Sequence, residues 1–168
     1  GAKIVGDGAS NSQLAALATD QAPRVRYELL MALAARPKEV DGKAERENAK
    51  LAAQAAAAGP LDEWMRKAVL CAISGSETAF LAQLKELFAG KTADLELLRE
   101  AGRLAAIGRP KEEQATIAEQ LLQAYPGSFA EQAALVSGPI ELWRQRGWLQ
   151  EEAFRHALGL KKLREAAM

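Results

Sequence analysis

Cysteine and histidine each occur once, as Cys71 and His156. A lone cysteine excludes an intramolecular disulfide, and a lone histidine leaves any histidine-based metal site or triad a single residue to form around. Cys71 falls in an apolar helical pattern and reads as a small buried side chain, not a reactive thiol. His156, beside Arg155, Ala157 and Leu158, reads as a surface or packing position. Aromatic residues make up only 5% of the chain, β-branched residues are sparse, and nothing alternates at period two, which excludes a sheet as the organising element. Neither sign of charge is in excess: 22 lysines and arginines balance 22 aspartates and glutamates, so the broad positive field of a general nucleic-acid binder is missing. No apolar run approaches the roughly 20 residues that cross a bilayer, and no basic-then-apolar signal opens the chain. Because numbering starts at Gly1 without methionine, the chain reads as a trimmed polypeptide or the remnant of a tag.

Catalytic patterns are equally thin. Gly6-Asp7-Gly8 lacks the preceding strand and third glycine of a phosphate-cradling loop. Glu45-Arg46-Glu47 and Glu112-Glu113 read as solvated helix faces, since nothing in their surroundings supplies the desolvation a catalytic carboxylate pair needs. The residues assign no catalytic, cofactor or metal site, and the expectation is a chain that is not itself an enzyme.

What is present is a repeat. Pro23-Arg24-Val25-Arg26-Tyr27-Glu28-Leu29-Leu30 and Glu63-Trp64-Met65-Arg66-Lys67-Ala68-Val69-Leu70 align with Val25-Arg26 on Met65-Arg66 and Leu29-Leu30 on Val69-Leu70, forty positions apart. Self-similarity at that period, with a helix-period apolar pattern inside each copy, marks a helical solenoid whose units bury their faces by stacking. A degenerate third copy centres on Leu98-Arg99, with Asp94 ahead of it.

In order, residues 1–9 read as a flexible arm and 10–168 as one helical domain, a length that supports a continuous core. Ser10-Asn11-Ser12 offers caps for a first helix ending near Asp20, Pro23 suits the first turn of the next, and Pro37 stops it. Residues 41–58 carry an alanine run expected to form a long, closely packed helix, and Gly59-Pro60 ends it and starts the helix at 60–73. Phe80, Leu81, Leu84 and Leu87 follow at helical spacing up to Gly90, and Thr92 offers a cap for the helix carrying Arg99. A helix is expected over 110–124, and Ser128 with Glu131 forms a capping box for a short helix that Ser137-Gly138-Pro139 should break. Two last helices, 140–146 and 149–165, and the polar end Lys161-Lys162-Leu163-Arg164-Glu165 complete the reading.

With their following aliphatic residues, Asp20 through Val25-Arg26 and Asp62 through Met65-Arg66 resemble HEAT-type repeats, a likeness that extends to about residue 110. The resemblance implies a right-handed α-α superhelix of about four helix pairs. In it Asp20, Arg26, Asp62, Arg66 and Arg99 serve as structural ladder residues between successive pairs, and the inner helix surface binds other proteins. A narrower likeness, over residues 12–125, is to the helical repeat segment of large bacterial proteins described as membrane-bound dehydrogenases. It implies a piece of an exported or periplasmic multidomain chain with a β-propeller and often a c-type haem domain. The segment alone gives no reason to place it outside the cytoplasm. This chain has no Cys-x-x-Cys-His, so no haem is carried over. Finally, Trp143-Arg144-Gln145-Arg146-Gly147-Trp148 is superficially similar to the exposed tryptophans and basic groove of HEAT-like DNA glycosylases. Zero net charge weighs against phosphate attraction, and the plainer reading has the tryptophans sealing the last helices while the arginines pair with Glu141, Glu151 and Glu152. The expectation is therefore an all-α scaffold without cofactor, with a protein partner or adjacent domain, and with Trp143, Arg144, Arg146 and Trp148 as a second candidate surface.

Overall fold

A computed structural model describes residues 11–37, 42–89, 91–152 and 154, which together form eight α-helices and no strand. The arm expected at 1–9, His156 and the polar end at 161–165 lie outside the described residues. The helices are α1 (Asn11–Ala18), α2 (Pro23–Ala34), α3 (Lys43–Ala57), α4 (Glu63–Ile73), α5 (Glu77–Leu87), α6 (Leu95–Ala106), α7 (Gln114–Ala124) and α8 (Phe129–Gln145). Short 3-10 turns at Lys111–Glu113 and Trp148–Gln150 precede α7 and follow α8.

Local chemistry sets most of these boundaries. Pro23 opens α2, where its missing N–H would have had no helical partner. The Asp62 carboxylate caps α4 by accepting the Met65 N–H at 2.7 Å. Ser128 and Glu131 form a reciprocal capping box at α8. Three expectations are corrected. The helix carrying Arg99 begins at Leu95, so Thr92 lies outside it. The helix expected from 110 opens as a 3-10 turn and becomes α-helical only at Gln114. Ser137-Gly138-Pro139 does not break the chain, because α8 runs through it from Phe129 to Gln145.

The chain divides into two compact units, Gly1–Asp94 and Leu95–Met168. In the first, α3 is central. It packs against α5, α4 and α1, while α2 packs against α4. Its inner face, Asn48, Ala49, Leu51, Ala52, Ala53, Ala55 and Ala56, is nearly all alanine, and these short side chains let neighbouring helices approach closely. The large apolar groups come from the partners: Leu29, Leu30 and Leu33 of α2, Val69 and Ile73 of α4, Phe80, Leu81 and Leu84 of α5. Burying each contributes about 1.5 to 3 kcal/mol relative to an exposed side chain.

In the second unit α6 and α8 are the main pair, with α7 against both. Their contact is backbone on backbone. A Cβ on Gly102 would stand 2.0 Å from the Leu135 carbonyl oxygen, and one on Gly138 would stand 2.1 Å from the Arg99 carbonyl oxygen. Each glycine thus points a Cα–H at the carbonyl three residues before the other glycine. This crossing also covers the carbonyl that the proline of α8 leaves without a helical partner. Pro139 has no N–H for the Leu135 carbonyl, which in an uninterrupted helix is its acceptor, and that oxygen turns to Gly102 of α6 instead.

Candidate interaction surface

The turn ahead of α2 and the turn ahead of α4 are built alike. Arg26 Nη1 donates to the Asp20 carbonyl at 2.7 Å and more weakly to that of Gln21 at 3.4 Å. Arg66 Nη1 donates to the Leu61 carbonyl at 3.0 Å. Each arginine thereby reaches back from the first turn of its helix to the loop that delivers it. Each also reaches forward. The Arg26 guanidinium packs under Gly59, where a Cβ would come within 2.8 Å of Nη2, and Arg66 Nη1 lies 3.3 Å from an Asp94 carboxylate oxygen. Arg26 thus touches the turn before α4, and Arg66 touches the residue before α6.

The two aspartates are placed differently from each other. Asp62 is the N-cap of α4, whereas Asp20 stands two residues before the uncapped Ala22 and accepts its N–H at 2.8 Å. Arg99 makes no turn contact of this kind. Its guanidinium bonds Glu96 at 2.6 Å, Glu100 at 2.9 Å and Glu141 of α8 at 3.0 Å. The hydrogen bond to Glu96 is the main influence holding it more firmly protonated than a free arginine.

Outside this framework α2 and α4 keep a solvent face. Trp64 is 68% exposed and Met31 41%, and Cys71 is exposed between α4's two ends. The expected burial of Cys71 is therefore corrected. The buried stripe of α4 is Met65, Ala68, Val69, Ala72 and Ile73, and Cys71 shares the opposite face with Trp64 and Lys67. Lys67 sits 5.4 Å over the Trp64 ring and bonds Glu63 at 2.6 Å, which pulls the exposed Glu63 carboxyl below its usual range.

Of the second candidate surface, Trp143 is buried at 2% exposure, its indole N–H donating to Gln114 Oε1 at 2.7 Å and its ring meeting Phe154 edge-on at 5.5 Å. Trp148 is half-buried and tilted against Phe154 at 5.7 Å, and Arg146 stacks over it at 4.9 Å. Arg144 and Arg146 are exposed. Glu151 pairs with Lys111 and Glu141 with Arg99. No protein-family model, curated protein or solved structure matches the chain.

Two polar centres reach beyond the motifs of the sequence. Gln114, fully buried, bonds the Ala106 carbonyl at 3.1 Å and the Arg109 carbonyl at 3.0 Å through Nε2 and accepts from Trp143 through Oε1. It ties the end of α6 to the start of α7 and to α8. Tyr125, also buried, donates to Glu131 Oε1 at 3.0 Å, so the capping-box glutamate serves a second partner. Burial, then this hydrogen bond, raises the Tyr125 phenol above its ordinary range. Among the described residues no group of three or more His, Cys, Asp or Glu side chains could hold a metal ion.

Proposed function

We propose that the chain is a HEAT-like scaffold, a right-handed α-α superhelix of about four helix pairs, that offers the solvent face of α2 and α4 to a protein partner or an adjacent domain of a larger bacterial polypeptide. The observation that carries this reading is the matched pair of turn arginines, Arg26 and Arg66, each bonded to the loop before its own helix and in contact with the start of a later element. The alternate packing of α1, α3 and α5 and of α2 with α4 supports it, since stacked helix pairs bring equivalent helices side by side. On this reading Asp20, Arg26, Asp62, Arg66 and Arg99 hold the stack, and Met31 and Trp64 supply apolar contact area. A tryptophan left this open is typical of interaction surfaces.

A glycosylase-type DNA protein is the reading this one displaces. Its basic groove would need free cations and open indole faces, whereas Trp143 is buried, Arg146 already covers Trp148, and Lys111 is paired with Glu151. Among the described residues no helix is long and apolar enough to cross a membrane.

Differential capture tests the proposal. Immobilised wild type is compared with the double variant Met31→Asp/Trp64→Asp and with Phe129→Ser, which removes an 81% exposed apolar side chain on α8. All three substitutions sit on exposed positions and should change stability by no more than about 0.5 kcal/mol. Proteins retained by wild type and Phe129→Ser but lost by the double variant are expected. Identical capture by all three, or salt-sensitive binding of labelled duplex DNA by the wild type, would overturn the proposal.

A further inference from the structure

We draw no further inference here: the strongest candidate, the solvent-facing row of Met31, Trp64 and Cys71 on α2 and α4, has its flanking charges paired within the same helices as Arg24 with Glu28 and Lys67 with Glu63, and nothing in the structure shows what covers it.

Discussion

Arg26 is only 2% exposed, paired with no carboxylate among the described residues and with its Nε unbonded. Backbone carbonyls of the α1–α2 loop are its polar partners, so the side chain is held by geometry and packing more than by charge. Truncating it opens space under Gly59 and strands those carbonyls, and Arg26→Ala should cost about 2 to 4 kcal/mol in urea unfolding. Arg66 is 26% exposed and its partner Asp94 27%, so Arg66→Ala should cost less, about 1 to 3 kcal/mol. A double-mutant cycle with Asp94→Ala should return a coupling of about 0.5 to 1 kcal/mol. No coupling would show that the Arg66–Asp94 contact contributes nothing to the fold. Tyr125 gives a pH signature. Its phenol is raised, so below about pH 10 both folded and unfolded chains keep the proton and its stabilisation is complete. Above that value the unfolded chain releases the proton first and binds fewer protons than the folded one, so stability falls as pH rises. The stability difference between wild type and Tyr125→Phe should therefore shrink between about pH 10 and 11. A difference that stays constant would contradict the buried Tyr125–Glu131 bond.

The α6–α8 crossing makes a sharper prediction because two effects oppose each other. Alanine in place of a mid-helix glycine ordinarily gains about 1 kcal/mol of helix propensity. At Gly102 and Gly138 the new methyl would meet carbonyl oxygens at 2.0 and 2.1 Å, and backbone cannot swing aside as a flexible side chain can. The clash should win, so Gly102→Ala and Gly138→Ala should each destabilise by at least about 3 kcal/mol in thermal or urea melts. Gly108 is the control. It has φ +78° and nothing within 4 Å of the point where an added methyl would stand, so Gly108→Ala should cost only about 1 to 2 kcal/mol, from the left-handed backbone alone. Equal losses at all three sites would mean that α6 and α8 do not meet backbone to backbone. The same crossing shows where sequence reasoning stops. Asp62, Pro23 and the Ser128–Glu131 box are legible because each acts within three residues along the chain. Gly138-Pro139 reads as a break by the same local rules, yet α8 runs through it, with the Leu135 carbonyl that the proline leaves lying against Gly102 of another helix. Gln114 is a similar case, a glutamine with nothing to mark it until Trp143 and the end of α6 close around it. Cys71 is legible in principle. Counting round the helix from Trp64 places it on the wet side of α4, but an apolar residue type suggests the dry one.

At the scale of the molecule, the helical character of the described residues and the likeness of the Arg26 and Arg66 turns are open to reading, because a helix-period apolar pattern with an arginine in its first turn recurs forty positions along the chain. The division at Asp94 is not, since the stretch from Gly90 to Asp94 reads as one more turn between helices, without a proline, a glycine run or a change in charge. If successive helix pairs are held to their neighbours by turn arginines, stability is a sum of local terms and damage to one rung stays local. Hydrogen–deuterium exchange of Arg26→Ala against wild type tests this most directly, peptide by peptide. Faster exchange is predicted in α2, α3 and α4, with the amides of α6, α7 and α8 unchanged. Uniform acceleration through all the helices would show one cooperative block whose stability does not depend on its turn arginines rung by rung, and would contradict the account.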